Sequence, residues 1–187
     1  MFIQTEATPN PATLKFIPGR PVLAQGTLEF RDPVATKTSP LAARLFEIDG
    51  VSGVFLGSDF ISVTKDEGEW QHLKPAILGA IMEHYQSGAP MAEEGEPGSV
   101  AAEDGEFYAS EDEETVNTIK ELLETRVRPA VAQDGGDITF QGYRDGIVFL
   151  HMRGACSGCP SSTATLRHGI ENLLRHFIPE VQEVRPV

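Results

Sequence analysis

Cys156 and Cys159 are the only cysteines in this 187-residue chain, and both stand in Gly154-Ala-Cys-Ser-Gly-Cys-Pro160. A C-x-x-C spacing lets two sulfurs face one point with little chain strain. Gly154 and Gly158 give the backbone freedom to curl around an inorganic core. Pro160 suits the first turn of a helix. A helix starting there aims its free N–H groups and partial positive charge at the loop, which lowers a thiol pKa and favours the metal-binding thiolate. Two cysteines in a reducing compartment are not a structural disulfide framework, so metal binding or redox chemistry leads.

Ligand number then constrains the chemistry. A [2Fe–2S], [4Fe–4S] or structural zinc site usually takes four protein thiolates, and this chain has two. No closely spaced His pair completes a zinc finger; His168 and His176 are eight residues apart. A symmetric homodimer with the metal on its two-fold axis supplies the missing pair. Such a site is exposed between loops, which suits a cofactor that is to be handed on. Two alternatives use the same residues: a thiol-disulfide oxidoreductase and a zinc-bridged structural dimer. The redox reading ranks below metal. A thioredoxin-like fold needs further strands after the helix, and only ten residues follow Phe177. No Ser/His/Asp or Cys/His catalytic set and no glycine-rich phosphate loop is evident, so an enzyme is not expected.

The elements that must position this loop are legible around it. Glu113–Ala130 has Val116, Ile119, Leu123 and Val127 on one helical stripe, with Pro129 read as helping to end it. Ile138–Tyr143 and Ile147–Met152 read as strands joined through Asp145-Gly146, a strong hairpin signal. A second helix is expected over Ser161–Phe177, with Leu166, Ile170, Leu173, Leu174 and Phe177 inward, then a short strand over Val181–Val184. The order is α-β-β-α-β. Asp134-Gly-Gly-Asp137 reads as the loop from helix to strand, and Arg153 as an ordinary solvated arginine. The N-terminal part mixes strands near 2–6, 13–17 and 27–30 with a helix over Pro40–Ile48 capped by Ser39. A hairpin across Gly57-Ser58-Asp59 and a helix over Trp70–Tyr85 follow. His72 and His84 lack partners at metal spacing and read as surface or boundary residues. The fold class is α+β in two small domains.

Ala132-Gln-Asp-Gly-Gly-Asp-Ile138, together with Gly154-Ala-Cys-Ser-Gly-Cys-Pro-Ser-Ser-Thr163, closely resembles the C-terminal domain of NifU-type iron–sulfur proteins. Gln4-Thr-Glu-Ala-Thr-Pro-Asn-Pro-Ala-Thr-Leu-Lys-Phe-Ile-Pro-Gly19 is similar to the start of the Nfu N-terminal domain. The resemblance implies a [4Fe–4S] cluster held between two C-terminal domains, with Cys156 and Cys159 as the matching ligands; a [2Fe–2S] form and adventitious zinc stand beside it. It further implies transfer to apo iron–sulfur client proteins, such as lipoyl synthase and aconitase-type enzymes. Loading would come from upstream cluster-assembly proteins, and the N-terminal domain would aid partner recognition.

Charge and composition set the remaining bounds. The net charge of −13 is concentrated: residues 91–114 hold ten Asp/Glu and no Lys/Arg. No basic patch suits nucleic acid, and no apolar run suits a membrane span. The N-terminus resembles neither a secretory signal nor a transit peptide. A cytoplasmic location is therefore expected (bacterial, or the organelle matrix for a processed eukaryotic form). The Gly-, Pro- and Glu-rich stretch lacks the apolar surface to order itself. It divides the chain into domains 1–88 and 111–187 with an acidic tether over 89–110. The two domains are expected to tumble semi-independently. Small-angle scattering checks this, and a profile fitted by one fixed arrangement would refute it.

Overall fold

The computed structural model describes residues 2–24, 26–92, 106–155 and 160–187. The chain forms two compact units, Met1–Val100 and Ala101–Val187.

The first unit is built on strands β1 (Gln4–Ala7), β2 (Thr13–Ile17), β3 (Leu28–Phe30), β4 (Val51–Leu56) and β5 (Ile61–Lys65). They form an antiparallel sheet in the order β1-β2-β5-β4-β3. Alternate residues on β2, β3, β4 and β5 place Phe16, Leu28, Phe30, Val54, Leu56, Ile61 and Val63 in one core. Helices α1 (Pro40–Phe46) and α2 (Trp70–Ser87) close that core with Leu41, Leu45, Leu73, Ile77 and Ile81. The β4–β5 hairpin pairs Leu56 with Ile61 across the expected Gly57-Ser58-Asp59 turn. Ser39 caps α1 as read, its Oγ accepting from the Ala42 N–H at 3.1 Å. The same hydroxyl donates to the Met91 carbonyl at 2.6 Å.

His84 departs from the surface or boundary reading. It is fully buried, with Nε2 3.0 Å from the Pro90 carbonyl and Nδ1 without a hydrogen-bond partner. Helical spacing places it one turn beyond Ile81 and two beyond Ile77, on their buried face, and the chain after α2 folds back over it. His72 is exposed. Segment 89–92, read as the start of the tether, is thus fastened to the first unit through Pro90 and Met91.

In the second unit, α3 (Glu113–Leu122) continues through a π-helical turn at Leu123–Val127 into α4 (Arg128–Gln133). Pro129 therefore does not end the helix. A proline in a helix lacks the N–H for the carbonyl four residues back and crowds that carbonyl. Here that residue is Thr125, and the wide π turn contains it and takes up the slack. Strands β6 (Gly136–Arg144) and β7 (Ile147–Gly154) form the expected hairpin. Asp145 and Gly146 both have positive φ, 52° and 77°, as a two-residue I′ turn requires. Helix α5 (Pro160–Phe177) crosses back, and β8 (Glu183–Pro186) pairs parallel to β7 in the order β6-β7-β8.

The helical stripe 116, 119, 123 and 127 is buried as expected, joined by Leu122 and Val131. From α5, Ile170 and Leu174 enter the core, with Leu166 and Leu173 packed against it. Phe177 does not point inward: it is 46% exposed, and the Arg126 guanidinium lies 5.1 Å from its ring centre. Ile178 takes the inner place, because its N–H still reaches the Leu174 carbonyl and carries the helical turn one residue further.

The residues just before α3 are tied to the sheet. The Phe107 N–H donates to the Gln141 carbonyl, and the Tyr143 N–H donates to the Phe107 carbonyl, at 3.2 and 2.8 Å. Gln141 is the bulge residue of β6, where the register shifts. A Cβ on Gly142 would stand 2.6 Å from the Phe107 ring, so only glycine leaves room for that ring. Phe149 packs on the ring from β7, centroids 5.0 Å apart.

Two outcomes follow from these contacts. Gly142→Ala is expected to cost the second unit roughly 1–3 kcal/mol through overpacking, read by urea unfolding. In the first unit, burial lowers the His84 pKa; the Pro90 carbonyl opposes the shift and Arg44 adds to it. The unfolded chain, with His near ~6.5, then binds a proton before the folded one does. Stability is present above that pH and falls as pH drops below it, toward the lowered folded value. Urea unfolding followed at Trp70, the only tryptophan, should show this slope between about pH 7 and 5, and His84→Gln should flatten it. An unchanged slope in His84→Gln would assign it elsewhere.

Candidate functional site

Cys156 and Cys159 lie outside the described residues, as do Ser157 and Gly158. The elements on either side of them are described. β7 ends at Gly154, whose φ of +66° turns the chain out of the strand. Ala155 is fully buried, and its N–H donates to the Gly135 carbonyl at 3.3 Å. Gly135 has φ +79° and follows the last helical turn of α4, in the left-handed conformation that glycine adopts at helix ends. The loop therefore leaves from a buried, backbone-tied point and re-enters four residues later at Pro160. There begins an 18-residue helix with no acidic residue in its first turn. Its N-terminal dipole is not offset locally by a carboxylate and favours thiolates and an anionic cluster.

The rungs below the loop are unusually polar for a buried place. Gly136 pairs with Gly154, and Asp137 with Arg153. Asp137 and Arg153 are each only 4% exposed, so Arg153 is not the solvated residue its type suggests. The Asp137 carboxylate accepts from Arg128 Nε at 2.8 Å and Nη2 at 2.9 Å, a two-pronged pair, and from the Ile138 N–H at 2.8 Å. The Asp137 hydrogen bonds hold the Arg128 pKa above the ordinary guanidinium value, with Glu124 adding to them and burial opposing. This pair clamps the start of α4, just past the π turn, to the first residues of β6. Asp134 caps the end of α4. With both Asp137 oxygens committed, Asp134-Gly-Gly-Asp137 serves as a structural joint rather than a metal cradle. Among the described residues no group of three or more His, Cys, Asp or Glu converges as a metal site.

Neither Arg128 nor the clamp was found by sequence reasoning. The available signal was an acidic residue beside two glycines at the head of an apolar strand, where a buried carboxylate needs a partner. Asp137→Asn is expected to destabilise the second unit by about 2 kcal/mol, less than the ~3–5 of a wholly buried pair, because the Arg128 side chain keeps 29% exposure. Urea unfolding of the second unit measures it.

Comparison with known proteins gives a consistent answer along the chain. Residues 3–88 match the family model described as scaffold protein Nfu/NifU N terminal, and residues 119–185 match the NifU-like domain. The human "NFU1 iron-sulfur cluster scaffold homolog, mitochondrial" is 51% identical over 189 aligned residues, covering 100% of this chain and 72% of the human protein. The Drosophila sechellia protein of the same name is 49% identical, with 100% and 65% covered. This chain thus spans about two thirds of the length of the curated relatives it matches. A solved NifU-like protein from Saccharomyces cerevisiae aligns with 51% of this chain and 87% of its own at 24% identity and a TM-score of 0.42. With an Nfu-type N-terminal region and a NifU-like C-terminal region on one chain, the protein belongs to the Nfu/NifU family of iron–sulfur cluster scaffold proteins.

Proposed function

We propose that two copies of this chain bind one [4Fe–4S] cluster through Cys156 and Cys159 of each, and pass it to apo-proteins that need it. The observation that carries the reading is the ligand count: two thiolates per chain at a place where a cluster takes four. The surroundings support it. Residue 155, just before the cysteines, is buried, and the helix that follows them has no acidic residue in its first turn. The relatives' names, which call those proteins iron–sulfur cluster scaffolds, point the same way.

The protein's part in this is to hold and release rather than to catalyse. Four thiolates from two chains are symmetric and share a single cluster. A client offering its own cysteines can replace them by ligand exchange, with no net redox change. The upstream donor is another cluster-assembly protein, and the clients are apo iron–sulfur proteins. The location we propose is the cytoplasm or an organelle matrix; the relatives are named as mitochondrial. No described helix is long and apolar enough to cross a membrane.

Anaerobic reconstitution tests the reading. It should give a dimer carrying about four iron and four sulfide per two chains, with the spectroscopic signature of a [4Fe–4S] cluster. Cys156→Ala and Cys159→Ala should each abolish it, and a cluster surviving both would end the proposal. Zinc in place of iron after iron-replete anaerobic expression would instead indicate a zinc-bridged dimer. Disulfide reductase turnover by the metal-free protein would indicate the oxidoreductase.

A further inference from the structure

A second site stands at the opposite end of the β6–β7 hairpin from the cysteine loop. The loop follows Gly154, whereas a cavity of about 400 Å³ opens beside the Arg144-Asp145-Gly146 turn. The eight residues of β7 separate the two by roughly 23 Å at strand rise.

The cavity has an aromatic side, from Phe107 and Tyr108, and an acidic rim, from Glu111, Asp112 and Asp145. Those three carboxylates make no ion pair and no side-chain hydrogen bond among the described residues. Acidic residues at a helix start are ordinarily explained as caps, but Asp112 makes no capping bond to α3. Glu106 also lines the cavity, and it is already paired with Lys120 at 2.6 Å. Arg144, the one cation in the lining, has its guanidinium 5.4 Å from the Phe107 ring centre.

Tyr143 supplies an independent observation. It is 5% exposed, it lines the cavity, and its hydroxyl has no hydrogen-bond partner among the described residues. Its ring is buried, whereas its hydroxyl keeps contact with solvent. A hydroxyl open to solvent in the lining of a cavity with an acidic side is an accessible acceptor for an N–H donor from outside. Burial raises the Tyr143 pKa above the ordinary phenol value, and the acidic Asp112 and Glu180 add to the shift.

We propose that this cavity is a docking site for a basic side chain, lysine or arginine, presented by a segment of a partner protein. The alkyl stem would lie against Phe107 and Tyr108. The charged head would sit among Glu111, Asp112 and Asp145 and donate to the Tyr143 hydroxyl. Charge complementarity selects this occupant: an acidic rim rejects a phosphate or a carboxylate, and the aromatic side favours a cation carried on an apolar stem. The site needs no cluster and no second copy of the chain.

The test uses the full, metal-free chain labelled with ¹⁵N and a capped peptide carrying two lysines, beside the same peptide with norleucine in their place. The lysine peptide is expected to shift the amide signals of Tyr108–Asp112 and Tyr143–Asp145 saturably. Asp112→Asn should weaken binding about fivefold, the scale of one partly exposed ion pair. Tyr143→Phe should weaken it while leaving the urea midpoint near that of the parent. Arg144→Gln should tighten it by removing a competing cation. Equal shifts with the norleucine peptide, shifts confined to residues 93–105, or affinity unchanged in both Asp112→Asn and Arg144→Gln would each overturn the proposal. Because the cysteines play no part, failure here is distinguishable from failure of cluster reconstitution.

Discussion

A strand laid parallel beside its predecessor demands a connection that runs the whole length of the sheet and back. β8 pairs parallel to β7, so α5 must start where β7 ends. That single pairing puts a helix N-terminus, with its free N–H groups, next to the residues that leave β7. The cysteines fall in this short span. The position of that helix N-terminus is a consequence of strand direction. The same requirement explains the glycines on both sides. The turn out of β7 and the turn out of α4 meet at one end of the hairpin, where Gly136 faces Gly154 and the Ala155 N–H reaches the Gly135 carbonyl. The Arg128–Asp137 clamp fixes the helix to the strand immediately below that meeting point.

Where local chemistry decides the structure, the sequence was a sufficient guide. Asp145-Gly146 demands two positive φ values and gets them. Ser39 is a hydroxyl before an apolar-periodic run and caps it. The stripe 116, 119, 123 and 127 is buried as its spacing requires. The C-x-x-C loop itself was read from residue types, and its own geometry lies outside the described residues.

Where the outcome depends on how a helix closes or on a partner outside the local window, the simple rules fell short. Pro129 is a helix terminator by propensity, yet a π turn absorbs it and α4 continues to Gln133. Phe177 is apolar and in phase, but Ile178 is better placed once the last turn closes. His84 is buried because the chain after α2 returns over it, a fact no window centred on α2 contains. Asp137 and Arg153 look like surface residues until the hairpin register and Arg128 are known. Pro129 and Phe177 are decided by how their own helices close, and Asp137 and Arg153 by partners across the fold, each against a preference of at most a few kcal/mol.

The one-residue bridge at Phe107 bears on how the edge of the second sheet is protected. β6 is an outer strand of its sheet, nine residues long, and an outer strand offers unpaired backbone groups to any other chain. Phe107 takes two of those groups and lays its ring over Gly142. The Gln141 bulge at the same level twists the strand out of a flat ladder. A foreign strand would have to evict an anchored aromatic residue and follow an irregular edge to pair along the whole of β6. That blocked edge makes β6 a poor template for indiscriminate strand-to-strand association.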